Sequence, residues 1–594
     1  MNTKTTAKLT SPDISIHPDQ WPEQWNKPTP PHKRCEQPKP EQLFERANQY
    51  KKQGLFPAAA HLYQQLLHSS PGHPEVSLNY GNLLQLEADY EPAIQVYQNA
   101  LSKDPNHTLL LNGLGNAYCK TGQLEKAITP LKRATRINPN DAISWFNLAN
   151  VYFQMQRIER AQKCLNRAKK IRPKKLNFFH LAGEIEEQLG HWATALETYQ
   201  HALDIDPDNP TTLHKLGRCY MENHRLTDAR RTLEHCLARS PHYPLAWYHL
   251  GNALRSLGQL DAASAAYRNC LQQDDQHVEA RLNLALSELQ QHQWQRGWRN
   301  YEVRWKLPRY QHPYDALPLP RWRGQSLAGC GIVLWGEQGV GDEILFVRVA
   351  QDLAQHAKKV VVLCNPRLQS LLQRSLPGIT VIAKTATLDP VQAIPHIHFH
   401  SPLASVMQYL PAAAYLKPFS LRPNPHFTAQ VPRRKHQLAI GISWHSHNVK
   451  SGPQRSVALN HWLPLLSEHK HRWVNVQAGS HQRALQNLAR HDIRLYQDSS
   501  CDPLNDLDRF AALINTLDLV ITIDNTTAHI AASLGVPTWI LLPSDAEWRW
   551  GTSAHHCVWY PDAYLFRATS PGDWAPVFQA VTQKLNRLST APNP

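Results

Sequence analysis

The sequence predicts an α-solenoid of short helical repeats, followed by an α/β part made of two successive parallel-sheet halves. Three observations predict it. A small residue recurs every 34 residues from Ala59 to Gly297. The period stops after "WQRGWRNYEVRW" (294–305). From about residue 328, short β-branched runs alternate with helical stretches, once before and once after a linker near 417–436.

Residues 1–39 are rich in proline and polar groups and read as a loose, disordered leader. The repeats fill 40–311. Their small position is Ala59, Ala93, Ala127, Ala161, Ala195, Ala229, Ala263 and Gly297. A second small position runs in register at Ala47, Gly81, Gly115, Ala149, Gly183, Gly217, Gly251 and Ala285. A large one recurs at Tyr63, Tyr97, Leu131, Leu165, Tyr199, Leu233, Tyr267 and Tyr301, and helix-ending prolines at Pro71, Pro105, Pro139, Pro173, Pro207 and Pro241. Two helices packed through small residues, closed by proline and stacked on the next pair, are the tetratricopeptide pattern, here in eight copies. Such a superhelix lines a groove with its first helices, a place for a protein partner. Asn82, Asn116, Asn150 and Asn252 share one position on those helices. An amide there both donates to and accepts from a peptide backbone, or else serves contacts between repeats. The ladder resembles that of the tetratricopeptide O-GlcNAc transferases.

At 594 residues the chain exceeds one core, so several domains are expected. Ten cysteines, with no CxxC pair and no metal-ligand spacing, suit reduced thiols. The start lacks an apolar signal segment, and no run approaches a membrane span, so the expected location is cytoplasmic. A formal charge of +15 is compatible with nucleic acid, but the basic residues are dispersed and no basic-aromatic binding motif appears. Solvated surface charge, with no nucleic-acid partner, is the expectation.

A proline-rich linker, 312–327, leads to a first Rossmann-like half, 328–430, and a second, 431–588. In the first, "CGIVLW", "KVVVLC" and "ITVIA" read as strands, and Asp342 to His356 as a helix. The turn "GEQGVG" is neither a Walker loop nor a good dinucleotide fingerprint. Gly336, Gly339 and Gly341 permit backbone angles and close approaches that other residues forbid. Asp342 and Glu343 either cap a helix or, for Asp342, project into a cleft as a general base. In the second half, "GISWHSHNVKSGPQRSVAL" (441–459) leaves a strand carrying His445, His447, Lys450, Arg455 and Ser456. Cations and a hydroxyl there suit a diphosphate, and the alternative is plain surface charge. "VITIDNTTAHIAASLGVPTWILLP" (520–543) reads as strand, turn, helix and strand. Asn525 and Thr526 either only cap the helix or present its mouth to an anion.

Taken in order, "GEQGVGDEILF", "GISW…RS", "DLVITIDNTTAHIAASLGVPTWILLP", "EWRW" (547–550) and "YLFRATSPGDW" (564–574) resemble the heptosyltransferase-type (family 9) glycosyltransferases of the GT-B fold. More closely, they resemble the bacterial branch in which tetratricopeptide repeats precede that domain. The resemblance implies an inverting, metal-independent transfer of sugar from a nucleotide-sugar to a protein or glycan acceptor, with no cofactor. Asp342, after the acceptor-side glycines Gly339 and Gly341, is the implied base. Asp524 is implied to contact sugar hydroxyls, and Asn525, Thr526 and Thr527 the diphosphate. His529 is implied near the leaving group and Arg455 on the donor, where the loop's own chemistry also puts Lys450 and Ser456. The family's usual Thr-Gly is Asn525-Thr526 here, which leaves open a domain that has lost turnover and serves a protein-binding scaffold.

Overall fold

The computed structural model describes residues 39–385, 394–427, 429–448, 452–468, 470–479 and 481–590. Of the leader only Lys39 is among them, and Lys450 lies outside them. The chain divides into two compact units, Met1–Ile185 and Glu186–Pro594.

The first unit holds α1 (Pro40–Lys52), α2 (Phe56–Ser69), α3 (Pro74–Leu86), α4 (Tyr90–Lys103), α5 (Thr108–Lys120), α6 (Leu124–Ile137), α7 (Ala142–Gln154), α8 (Ile158–Ile171) and the start of α9 (Leu176–Gln188). Each first helix begins 34 residues after the last, at Pro40, Pro74, Thr108, Ala142 and Leu176. The small and large registers are two sides of one contact. A Cβ added at Gly81 would lie 2.5 Å from the Tyr97 ring, so the second helix settles its bulk into the notch that glycine leaves. Between the helices of a pair the chain turns through a left-handed residue: Gly54, Ala88, Gly122 and Gln156 all have φ between 60° and 75°.

The second unit continues the same grammar through α10 (Trp192–Leu203), α11 (Pro210–Glu222), α12 (Leu226–Arg239), α13 (Pro244–Ser256), α14 (Leu260–Gln273), α15 (Val278–Gln290) and α16 (Trp294–Tyr301). Gly217 meets Leu233 as Gly81 meets Tyr97, with a Cβ there 2.6 Å from the leucine. The solenoid then gives way to two parallel sheets. Strands β1 (Gly331–Trp335), β2 (Lys359–Cys364), β3 (Thr380–Ala383) and β4 (Phe399–Pro402) lie in the order β3-β2-β1-β4. Strands β5 (Ala439–Ser443), β6 (Arg472–Asn475), β7 (Leu519–Ile523), β8 (Thr538–Leu542) and β9 (Ala563–Arg567) lie in the order β6-β5-β7-β8-β9. Central strands β1, β5, β7 and β8 are buried along their whole length, as sheets covered on both faces require.

The segment 312–327 is packed rather than loose. His312 stacks on Trp335 at 5.0 Å, and the Tyr314 hydroxyl donates to the Thr385 carbonyl at 2.9 Å. The helix expected over Asp342–His356 is split into α17 (Val340–Phe346) and a short second piece, Val349–Leu353. At the break, Arg348 turns back, donating from Nε to the Leu345 carbonyl at 2.8 Å and from Nη1 to the Trp559 carbonyl at 3.2 Å.

One continuous apolar core joins the eighth repeat to both halves. It includes Trp298 of α16, Phe346 and Tyr415 of the first half, and Trp548 and Trp559 of the second. Trp298 meets Trp548 edge-on at 5.4 Å and Phe346 at 6.0 Å. Aromatic edges against faces fix both distance and angle, so the two halves share one frame.

Candidate functional site

Ligands in open α/β sheets settle outside the carboxyl ends of strands, where the strand order reverses. In the second half that point lies between β5 and β7, which pair directly and lead away to opposite sides of the sheet. From β5 come Trp444 to Asn448 and Gly452 to Ser456, and from β7 come Asp524 to Thr527. The stretch 543–550, which follows β8, closes the same end.

The turn after β7 is built mainly by its own side chains. Asn525 caps the Thr526–Ser533 helix, its Oδ1 accepting from the Ala528 N–H at 3.3 Å and the Thr522 hydroxyl at 3.1 Å. Its Nδ2 donates to Ser443 Oγ at 2.8 Å, tying β7 to the end of β5. Thr527 is buried, with its hydroxyl 3.5 Å from the Val476 carbonyl. Of the groups expected on a diphosphate, Asn525 and Thr527 are therefore engaged in the fold, while Thr526 stands half-exposed at the helix start. Ser456 pins its loop: its Oγ accepts from the Ser446 N–H at 3.0 Å and donates to the Gly452 carbonyl at 2.7 Å.

His529 is 5% exposed, not at an open phosphate site. Its Nδ1 lies 2.9 Å from the Tyr560 hydroxyl and its ring stacks on Trp550 at 5.2 Å. Burial pushes its pKa down to about 3, helped by Arg549, Arg348 and Arg455, so the ring is neutral. Across from it, a Cβ at Gly341 would lie 2.7 Å from His529 Cδ2. Gly341 is thus a point of close approach between α17 and the Thr526–Ser533 helix. None of Gly336, Gly339 and Gly341 uses a positive φ, and a Cβ at Gly339 would meet nothing nearer than Asp342 Oδ2 at 3.7 Å. The expectation of unusual backbone angles is corrected: Gly336 and Gly341 are there for close packing, against Glu343 and His529.

The two acids at the head of α17 part company, and neither caps it. Glu343 turns inward, accepting from Lys384 Nζ at 2.5 Å and the Asn365 N–H at 2.6 Å. Burial raises its pKa against the pull of Lys384. Asp342 faces the second half and pairs with Arg549. From there a chain of alternating charge crosses the site. Arg549 Nη1 lies 3.3 Å from Glu547, Glu547 pairs with Arg455, and Arg455 Nη1 lies 3.4 Å from Asp524 Oδ2. Burial raises the pKa of Asp524, opposed by Arg455, whereas Arg549 and Arg455 outweigh burial at Glu547 and hold it low. Arg549 also donates from Nη2 to Gln338 Oε1 at 3.2 Å, and Gln338 Nε2 donates to the Tyr301 hydroxyl at 2.6 Å.

The structure thus brings together Asp342, Gly341, Arg455, Asp524 and His529, drawn from motifs far apart in the chain. Glu547, Arg549 and Gln338 were given no role in the sequence. For Glu547 and Arg549 the signal was "EWRW" itself, opposite charges alternating with tryptophans a few residues after β8. Among the repeat asparagines, Asn82 Oδ1 accepts from Tyr97 and Asn252 Oδ1 from Tyr267, each at 2.8 Å. Asn116 Nδ2 donates to Gln85 at 2.9 Å, and Asn150 is half-buried at the equivalent place on α7. The carbonyl of Asn82 therefore serves its own repeat, and that of Asn252 also accepts from Asn283 Nδ2 of the next repeat at 2.8 Å.

Among the described residues, no group of three or more histidine, cysteine or acidic side chains is placed to hold a metal ion. No helix there is long and apolar enough to cross a membrane.

Comparison with known proteins recovers the repeats. Models of tetratricopeptide repeats match residues 146–210, 188–248 and 244–287, and a model described as the C-terminal domain of cilia and flagella-associated protein 70 matches 31–176. Protein FlbA of Caulobacter vibrioides is 27% identical over 338 residues, covering 53% of this chain, and the match spans 55% of that relative's length. Among solved structures, a tetratricopeptide repeat protein from Parabacteroides merdae superposes with TM-score 0.36 at 15% identity, covering 42% of this chain and 98% of its own. YrrB, titled a TPR protein with an unusual peptide-binding site, gives 0.27 at 16% identity, covering 31% and 95%. The chain carries a tetratricopeptide solenoid followed by an α/β region.

Proposed function

We propose that the α/β region is a glycosyltransferase that moves a sugar from a nucleotide-sugar to an acceptor hydroxyl, and that the repeats recruit the protein or glycan acceptor. The reading rests on one observation. Asp342 of the first half and Asp524 of the second lie at the two ends of a single ionic chain through Arg549, Glu547 and Arg455. That chain crosses the carboxyl ends of the strands, where such folds bind ligands.

In this mechanism Asp342 takes the proton of the acceptor hydroxyl as its oxygen attacks the anomeric carbon. The bond from that carbon to the diphosphate breaks, and the electron pair leaves with the nucleoside diphosphate. Arg455 and the first N–H groups of the Thr526–Ser533 helix stabilise the charge that develops there. Asp524 receives sugar hydroxyls. His529, neutral and buried, holds the two helices in register and does not touch the leaving group. Reduced cysteines and a nucleotide-sugar substrate fit a cytoplasmic setting.

A thermal-shift screen of the full chain against nucleoside diphosphates and their sugars tests the reading. The expected result is a shift with one base, followed by transfer or slow hydrolysis of the matching sugar. Asp342→Ala is expected to abolish transfer while donor binding persists. If no donor shifts the melt and no sugar is released, the second reading stands: a protein-binding scaffold, favoured by the eight repeats, whose α/β region no longer turns over.

A further inference from the structure

Arg549 occupies an unusual position in the ionic chain. It is the group next to the base, it lies 11% exposed, and it faces two carboxylates, Asp342 and Glu547. Its Nε is buried and has no hydrogen-bond partner among the described residues. A guanidinium offers five N–H donors in a rigid fork, matched to carboxylate and phosphate oxygens alike. Arg549 therefore has unused donor capacity at the point where the two halves meet. Around it the charges are lopsided: three carboxylates, Asp342, Glu547 and Asp524, share two guanidinium groups, Arg549 and Arg455. A diphosphate cannot join that set without displacing carboxylates from the arginines. Asp342, for its part, is tied down by the same pairing and has to leave Arg549 to meet an acceptor hydroxyl.

Resting on the glycosyltransferase reading, we infer that Arg549 is a diphosphate-binding residue that Asp342 occupies in the free protein, so that donor entry releases the base. The diphosphate takes over the arginine fork, including Nε, and Asp342 is handed to the acceptor side. Asp342 is then a competitor for the donor's binding partner as well as the base. Glu547 competes in the same way, from the other flank. Gln338 keeps the fork in plane from the first half, by accepting at Nη2.

The competition gives the test an uncommon sign: removing the base should strengthen donor binding. Titration calorimetry of the full chain with UDP, GDP, ADP and CDP selects the base that binds. With that nucleotide, Asp342→Asn is expected to bind about tenfold tighter than wild type, since it releases a charge-assisted pair from Arg549. Glu547→Gln is expected to change affinity in the same direction, because Glu547 pairs with both Arg549 and Arg455. Arg549→Gln is expected to bind at least about tenfold more weakly, with Arg549→Lys between it and wild type. Melting curves of each variant separate lost folding from lost binding. Should the nucleotide bind wild type and Asp342→Asn equally, or bind Arg549→Gln as well as wild type, Arg549 is not the diphosphate residue, and the glycosyltransferase reading stands without it. Should none of the four nucleotides bind wild type or Asp342→Asn, both fall together.

Discussion

The second and eighth repeats put a tyrosine at the same register, and the two hydroxyls are used differently. Tyr97 donates to Asn82 at 2.8 Å within its own repeat, as Tyr267 does to Asn252. In the eighth repeat the asparagine position is Leu286, and the Tyr301 hydroxyl instead accepts from Gln338, in the turn after β1. Three residues on, Arg304 is fully buried, with Nε 2.7 Å from Glu337 and Nη1 2.6 Å from Glu302. The small-residue frame is unchanged across the two repeats, yet the last one turns its polar groups outward to the α/β halves. A repeat can thus keep its packing code and still be a structural part of the neighbouring site.

The largest way to break that joint is Arg304→Ala. Glu337, 2% exposed, would lose its cation inside the protein, and removing one partner of such a pair costs about 3–5 kcal/mol. The same truncation of Arg157, whose pair with Glu125 in the first unit is well exposed, should change stability by less than about 1 kcal/mol. Urea unfolding of both variants reads the contrast. Equal effects would mean that the eighth repeat is joined to the halves no more tightly than a surface ion pair.

Next in size is the acid limb of stability. The His529 pKa is depressed from 6.5 to about 3, chiefly by burial. Below pH ~6.5 the unfolded imidazole takes up a proton that the folded one refuses, so stability is present above that pH and is lost as pH falls toward 3, by roughly 1.4 kcal/mol per unit. His529→Gln should flatten the slope of unfolding free energy between pH 6 and 4 by about one proton. An unchanged slope would place the ring in water, away from Tyr560 and Trp550.

Much of this was legible because the cause was local. Small and large positions 34 residues apart betray a helix pair directly, and Asp342, Arg455 and Asp524 stand at strand ends that hydrophobic runs mark out. What could not be read is set by partners elsewhere in the chain. Glu343 looks like a second cap until Lys384 and Asn365 are seen to hold it. Arg549 stands in the local motif "EWRW", but its meaning comes from Asp342 in the other half. The break at Arg348 depends on the Trp559 carbonyl. The asparagine register left both a groove-facing ladder and contacts between repeats open, and a tyrosine one helix away uses the amide oxygen where the large position is Tyr97 or Tyr267.

Tyrosine-to-phenylalanine pairs sharpen the same comparison at about 1 kcal/mol. Tyr97→Phe and Tyr301→Phe each remove one hydroxyl from a buried ring and should cost similar stability. Only Tyr301→Phe loosens Gln338, and with it the Nη2 anchor of Arg549. Nucleotide binding should weaken in that variant and stay at the wild-type value in Tyr97→Phe. A calorimetric titration of the two side by side decides it.

The smallest effect concerns the left-handed turn inside each repeat. Ala88 has φ 62° and His292 φ 61°, where Gly122 has 75°. For a residue with a Cβ that conformation costs roughly 1–2 kcal/mol, against about 0.5–1 kcal/mol of extra chain entropy for glycine. Ala88 is exposed, so Ala88→Gly should raise stability by about 0.5–1 kcal/mol, read as a higher urea midpoint. His292 has the same backbone but a different neighbourhood: its ring stacks on Trp294 at 5.0 Å, and its Nε2 would lie 2.9 Å from a Cβ at Gly551. His292→Gly relieves the same strain and loses that contact with the second half, so it should bring no gain. If both substitutions stabilised equally, the ring at 292 would contribute nothing to the joint, and the eighth repeat would hold the halves through Arg304, Tyr301 and the tryptophans alone.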